Sequence, residues 1–417
     1  MRRHPVSATL LAPLAIRRDR QSERSEGASS VSGTMLRGAL AQAYLQRHGE
    51  PDPTFRLLFL DDSSCRLGPL DPAPRTLPLT ALSCKREPGF QADRKHGDDK
   101  HGMADSLWFR IGQWLAPASQ TIDPTHCARC DQDLKPEPGF YRDGPKGAAG
   151  PARKDRHAVA THVGIDRAST TAAESIFYTL EALEPSLAPD SEGPDLVGWI
   201  EANDAAFDSL RALLDGEEGV VTLGHARTRG YGRVQLDLGA PAEGLPGAEA
   251  WESWSRDLLE YLARPEFGIG PSGPSRSFAF ALTLPTGAVL VDDLLRSSLD
   301  PADDVEWLPR LSEVGERDSV AFEGGRLFNL GAVARHERLR GWNAIHGLPR
   351  QDEWAIARGS VFAYRLDGPA EARATLIERL EQLARDGLGL RRGEGFGTVV
   401  VSDEFHRAFH QQEGAPP

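Results

Sequence analysis

Two groups of side chains in this 417-residue sequence have the types and spacing to do chemistry. The first is a run of arginines around a Gly-aromatic-Gly step, Arg227–Leu236 (RTRGYGRVQL), which the chain writes a second time as LGLRRGEGFGTVVV. Gly230 and Gly395 stand 165 residues apart, and that one offset also aligns Leu223 with Leu388, Gly224 with Gly389, Arg227 with Arg392, and Tyr231-Gly232 with Phe396-Gly397. Glycine admits positive φ and lets a bulky ligand approach the backbone. Flanking arginines suit phosphates and an aromatic ring suits a base, so the pattern predicts a nucleic-acid ligand. A bare helix-to-strand turn is the alternative, because glycine is also the ordinary helix stop. The second copy has Glu394 where the first has Arg229, which makes it the poorer phosphate binder and a candidate for packing.

The second group is the four cysteines, Cys65, Cys84, Cys127 and Cys130, with His96, His101 and His126 among them. Cys127-x-x-Cys130 has the spacing with which two thiolates grip one tetrahedral zinc. Cys84 is the expected third ligand, with Cys65 its rival, and His101 the expected fourth, ahead of His96 and His126. Residues 61–155 are rich in Pro, Gly and charge and show little periodicity, so a structural zinc would supply the order that a core cannot. Two cysteines in a plain loop are the alternative. Four cysteines in this arrangement do not read as a secreted disulfide frame.

An enzymatic reading rests on fewer residues. His157 or His162 could assist attack by a ribose 2′-OH, and Asp166 in GIDR could serve as a cleaving acid. A histidine beside a strand is more often structural, and no second base stands at close spacing.

The elements that must position these groups alternate strand and helix. Ser7–Ile16 reads as a buried strand. Thr34 is a plausible N-cap for a helix whose Leu36, Leu40, Ala43 and Tyr44 keep helical spacing. Arg37, one turn in, would face a phosphate seated on the helix N-terminus; a helix start with a surface arginine is the bland reading. Ser175–Leu183 is expected as a strand and Asn203–Leu214 as an amphipathic helix stopped by Gly216. The first glycine loop and the strand Arg233–Leu238 follow. A short helix around Trp251–Leu262, the strands Ser277–Leu284 and Gly359–Leu366, the helix Ala370–Arg385 and the second glycine loop make a second series. Arg326, Arg335, Arg338, Arg340 and Trp342 lie between them. The fold class expected is α+β: tandem ferredoxin-like (RRM-like) units with glycine-rich loops, plus an irregular zinc-stabilised insertion. The boundaries expected are 1–238 for the first unit with its insertion at 61–155, 239–276 for a linker, 277–409 for the second unit, and 410–417 for a frayed tail.

With 26% charged and 40% hydrophobic residues, the composition is that of a soluble globular chain, and no run approaches a membrane span. The apolar stretch near the start is closed by arginines with no small-residue cleavage site, so a cytoplasmic protein is expected. A net charge of −13 counts against a free-standing nucleic-acid binder and favours one whose binding depends on assembly with partners.

In order along the chain, VSGTMLRGALAQAYL, CKREPGF…HGMAD…CARC, THVGIDRAS…SIFYTLEAL, GWNAIHGLPR, ARGSVFAYRL and GEGFG resemble the RAMP proteins of CRISPR effector complexes. Within them the chain looks most like the Csx-ten family, the Cas-five-like subunit of type III-D complexes, and the likeness covers nearly all of it. Relatives of types III-A and III-B would share GSVF and the glycine loops but not the CxxC segment. The resemblance implies a non-catalytic subunit that holds the repeat-derived 5′ tag of the guide RNA (crRNA). It implies a cap on one end of the complex, contacts with the large polymerase-like subunit and the first backbone subunit, and an indirect meeting with target RNA. Carried onto this sequence, RNA contact falls on Arg37, Gly38, Arg167, Arg227, Arg229, Gly230, Tyr231, Gly232, Arg391, Arg392, Gly395, Phe396 and Gly397, with Trp342 and Arg350 as weaker candidates. The metal set is Cys84, His101, Cys127 and Cys130. A guide-processing endoribonuclease and a protein-only, zinc-stabilised scaffold are the other readings.

Overall fold

The computed structural model describes residues 1–16, 27–91, 101–116, 126–143, 149–152, 156–185, 194–216, 218–242, 244, 247–265, 267, 277–311, 315–343 and 346–410. Contacts divide the chain into two compact units. The first holds 1–74, 152–243 and 393–395, and the second holds 75–151, 244–392 and 396–417.

The first unit is built on a five-stranded antiparallel sheet in the spatial order Val220–Thr222, Arg233–Leu238, Arg2–Leu10, Leu196–Ala202, Cys65–Asp71. Its first strand starts earlier than expected and stops at Leu10; Leu14 makes only an isolated bridge to Leu183. Pro13 lacks a ladder N–H, which explains the break. Alternation along this strand buries Val6, Ala8 and Leu10 against the helix Gly33–His48, whose inward side carries Leu36, Ala39, Leu40 and Tyr44. The cap of that helix is Ser32, which accepts from the Met35 N–H. Thr34 lies inside the first turn. The helix Asp204–Gly216 adds Ala206, Leu210, Leu213 and Leu214 to the same core.

The second unit has its own five-stranded sheet, ordered Gly315–Phe322, Gly325–Val333, Val361–Asp367, Ser277–Thr283, Val400–Val401. Its strand Ser277–Thr283 (SFAFALT) is buried on both sides, and side-chain size sorts the two faces. Phe278, Phe280 and Leu282 join Leu376, Leu380 and Leu383 of the helix Ala370–Asp386. Ala279 and Ala281 face the opposite way and leave room for Trp108 and Trp254. Those tryptophans come from the helices Leu107–Leu115 and Ala248–Leu262. Residues 239–276 are therefore not a linker throughout, because a helix with Trp254, Leu258 and Leu262 buried is part of the core. Residues 75–151, expected inside an insertion of the first half, belong to the second unit for the same reason. The helix Leu107–Leu115 escaped the periodicity reading because it is short and stands among Pro-rich, charged neighbours.

At the end of the described chain, the short helix Glu404–Ala408 carries His406 into this unit. His406 Nδ1 lies 3.1 Å from Asp105 Oδ1, and both side chains are fully buried. Thr283 Oγ1 is 2.9 Å from the other imidazole nitrogen, and Thr80 donates to the free carboxylate oxygen at 2.5 Å.

The duplicated loop is realised residue by residue. Gly224 and Gly389 have φ of 75° and 69°, Gly230 and Gly395 87° and 81°, and Gly232 and Gly397 85° and 76°. Ala226 and Arg391, equivalent at the same offset, both adopt φ of 60°. Leu223 N donates to Gly232 O at 2.8 Å and Leu388 N to Gly397 O at 2.7 Å. A Cβ at Gly397 would lie 1.8 Å from the Leu388 carbonyl oxygen. Backbone collision and positive φ together predict that Gly397→Ala costs at least about 3 kcal/mol in denaturant unfolding. Gly38→Ala makes the contrast: nothing lies within 4 Å of the added methyl, so in mid-helix it is expected to stabilise by up to about 1 kcal/mol.

Candidate nucleic-acid interface and metal centre

In the first unit the loop around Arg227–Arg229 is exposed from Arg227 to Gly230. Arg227 Nε donates to Gly224 O at 3.0 Å, which straps the guanidinium over the turn, and the same group reaches Gln42. A long antiparallel hairpin, His157–Ile165 with Ala172–Leu183, lies beside this loop. Ala226 and Tyr231 pack against Ala15, Leu180 and Ala182, so Tyr231 spends part of its ring on seating the hairpin. Arg229 stacks over Tyr178 with its guanidinium carbon 5.0 Å from the ring centroid and also bonds the phenol oxygen. His162, directly across the ladder from Tyr178, stacks on it at 5.2 Å and 17°. The loop and hairpin thus present a column of planar groups ending in an exposed cation. Tyr178 and Gln42 were missed by the sequence reading; the alternation in SIFYTLEAL was the only signal that could have put Tyr178 on the side facing the loop.

Arg167 is exposed at the hairpin tip. Asp166 holds that tip, accepting from Ala168 N and Ser169 N at 2.8 Å each, and those bonds keep its carboxyl below the ordinary range. A carboxylate spent on its own turn is a poor general base. His157 is engaged as well: one ring nitrogen is 3.4 Å from Glu181 and the other 3.2 Å from Ser29 Oγ.

The second glycine loop is buried. Residues 393–395 count with the first unit, where Glu394 Oε1 takes Arg37 Nη1 at 2.8 Å and Oε2 takes Thr34 Oγ1 at 2.5 Å. Arg37 is also spent on the Phe59 carbonyl. The carboxylate of Glu394 therefore sits where a phosphate was expected, at the start of the helix Gly33–His48. Gly33 is the residue that permits this, since a Cβ there would fall 2.2 Å from Glu394 O. Gly38 is merely exposed on the helix. Arg391 pairs with Glu353 at 2.6 Å and lies over the Phe396 ring at 4.8 Å, and Arg392 reaches Asp386 O at 3.3 Å. Arg350 is exposed and pairs its N–H with Gly341 O. Trp342 opposes Pro349 in a two-residue ladder, and its side chain lies outside the described residues.

The metal-ligating set comes together in the second unit. Ligand atoms of Cys84, His101, Cys127 and Cys130 all lie within 4.8 Å of one another. Cys84 Sγ is 3.5 Å from Cys130 Sγ, and Cys127 Sγ is 3.4 Å from His101 Nδ1. A small sheet positions them, with Ala81–Cys84 between Met103–Asp105 and Leu134–Pro136. Cys84 ends the central strand, while Cys127 and Cys130 flank a turn closed by Asp131 N to Cys127 O at 2.8 Å, with Asp131 at φ of 56°. Burial works to raise the Cys84 thiol, but the Glu87 and Arg86 N–H groups, with Cys130 and His101, bring it down to about 7. Four converging soft donors, one already inclined to ionise, could hold a metal ion. Cys65 is excluded from the set: it lies in the other unit, and burial pushes its thiol up to about 12. His126 stands 3.6 Å from Asp133 instead, and His96 lies outside the described residues.

Against known proteins, the family profile described as the RAMP superfamily matches residues 7–235, more than half of the chain. The chain belongs to the RAMP superfamily. Among curated proteins no relative matches. Solved structures similar to this RAMP protein include a chain of the type III-B Cmr-beta complex bound to cognate target RNA, at 12% identity, covering 95% of this chain and 96% of that one, with a TM-score of 0.38. A chain of the Csm3-Csm4 subcomplex of the type III-A CRISPR-Cas interference complex gives 12% identity, 87% and 92% coverage, and 0.31. Oligomeric Cmr4 from Pyrococcus furiosus gives 15%, 58% and 100%, and 0.24. Among the described residues no helix is long and apolar enough to cross a membrane.

Proposed function

We propose that this RAMP protein is a non-catalytic, guide-binding subunit of a type III CRISPR ribonucleoprotein. In the finer reading it is the Cas-five-like, Csx-ten subunit of a type III-D complex. It holds the repeat-derived 5′ tag of the crRNA, caps the assembly against the large polymerase-like and first backbone subunits, and meets target RNA only through the guide. The observation that carries this reading is the contrast between the two glycine loops. They share one backbone conformation, yet the second is filled by its own carboxylate, whereas the first is left open with Arg227 and Arg229 at the surface. An open loop of that shape with two cations fits the phosphates of a single strand.

The strand order in each unit, with helices returning after the first and third main strands of the first unit, supports the tandem ferredoxin-like reading. In the second unit, the helix Ala370–Asp386 occupies the later of those two places. For the metal cluster, a Cys3His donor set with no spare acid or base among its ligands suits a structural zinc. Cytoplasmic location and a non-enzymatic role complete the proposal. His157, with one ring nitrogen 3.2 Å from Ser29 Oγ, and Asp166, closed into its turn, favour the non-enzymatic reading over the endoribonuclease alternative.

The test is Arg227→Ala combined with Arg229→Ala. In protein co-purified with its operon neighbours, the double variant is expected to weaken retention of guide RNA. It should also reduce the slope of log affinity against log salt by about two contacts' worth, near 1.4 for a single strand. Retention and slope equal to those of the unaltered protein would refute the role given to this loop.

A further inference from the structure

Arg229, Tyr178 and His162 form one stack beside the first glycine loop. Arg229 is exposed, its guanidinium carbon 5.0 Å from the Tyr178 ring centroid, and the ring is backed in turn by His162 at 5.2 Å and 17°. A surface arginine ordinarily pays rotamer entropy to be held in one place. Here the phenol oxygen and the ring hold it at once, so its plane is presented ready-made. Tyr178 and His162 are fixed by the ladder of a hairpin whose neighbouring Leu180 and Ala182 are buried against Ala226 and Tyr231 of the loop itself. Among the described residues His162 Nε2 has no hydrogen-bond partner, and the ring's stacking on Tyr178 is what it contributes to the column.

We propose that this column is a stacking platform for one unpaired nucleobase, which lies on the open face of the Arg229 guanidinium. Building on the guide-binding reading, it assigns the loop two separable tasks. Arg227, strapped to Gly224 and Gln42, meets phosphate. Arg229, as a supported plane, meets a base while its charge still lies against the strand's backbone. Planar guanidinium and aromatic groups accept any base, so the site selects for single strands over duplexes rather than for a letter. Lysine at position 229 would keep the charge and lose the plane.

The experiment uses the full chain and fluorescence anisotropy with a short oligoadenylate, compared with the same strand carrying one abasic site. The unaltered protein is expected to bind the intact strand roughly tenfold more tightly than its best-placed abasic counterpart, in line with the loss of one stacked base. Arg229→Lys and Tyr178→Leu should each bring that ratio close to one while leaving the salt slope unchanged, and Tyr178→Phe should keep the ratio. Leucine keeps an apolar side chain in place of the ring, and the far-ultraviolet spectrum checks that the hairpin survives. A ratio that persists in Arg229→Lys and Tyr178→Leu overturns the platform and leaves the phosphate role of Arg227 standing. No affinity of the unaltered chain for oligoadenylate overturns the platform, and an Arg227→Ala, Arg229→Ala variant that binds as well as the parent overturns the guide-binding reading and the platform with it.

Discussion

Cys127→Ser is expected to release the metal and unfold the segment around it, the largest single effect foreseen for this chain. The sheet that carries the ligands has strands of four, three and three residues, too few to persist on their own. Part of its order comes from Ala81 and Met103, packed with Phe90, Tyr141 and Phe405, and the metal is expected to supply the rest: structural zinc in small domains contributes roughly 10–16 kcal/mol at neutral pH. Elemental analysis should return about one zinc per chain in the parent and none in the variant. In limited proteolysis, the variant should be cut between residues 81 and 136 at protease levels the parent resists. A stably folded parent without metal would end the zinc reading. A variant that keeps both its metal and its protease resistance would do the same.

His406→Ala should destabilise the second unit by roughly 3–5 kcal/mol, because it leaves the Asp105 carboxylate buried without its cation. Thermal unfolding should fall by roughly 10 °C for a unit of this size. Burial disfavours the charged form of either group. Asp105 nevertheless holds His406 above its ordinary 6.5, and His406, helped by Thr80 and Leu107 N–H, holds Asp105 below its ordinary 3.8. A raised histidine stabilises fully below 6.5, and that stabilisation is lost as pH climbs through the higher folded value. A lowered aspartate stabilises fully above 3.8, and its contribution goes as pH falls through the lower folded value. The gap in melting temperature between parent and His406→Ala is therefore expected to be widest between about pH 4 and 6.5 and to narrow toward alkaline pH. A gap that is flat from pH 5 to 9 would mean the pair is not charged, and the hydrogen bonds alone do the holding.

Local chemistry was legible in the sequence and long-range packing was not. The four residues that converge here could be proposed from spacing and residue type, with the histidine the least determined of them, because a tetrahedral site demands few donors and tolerates any fold between them. The equivalence of the glycine loops was readable because positive φ at Gly230 and Gly395 restricts the residue allowed. What spacing could not tell was which loop faces water. Glu394 is one carboxylate among 61 acidic residues, and only the approach of Gly33, Thr34 and Arg37 makes it a buried one. The helices Leu107–Leu115 and Ala248–Leu262 show the same limit. Their tryptophans fill the space above Ala279 and Ala281, a fit between segments more than a hundred residues apart for the first helix and invisible in either alone.

The loop pair also bears on how such a chain can diversify after gene duplication. In each copy the carbonyl of a leucine, Leu223 or Leu388, sits 2.0 or 1.8 Å from where a glycine's Cβ would be, so those glycines cannot drift in either copy. Positions 229 and 394 carry no such restraint. With Arg at one and Glu at the other, and with Gly33, Thr34 and Arg37 closing on the second, two copies of a single shape come to serve opposite ends, one open to a ligand and one closed on the protein itself.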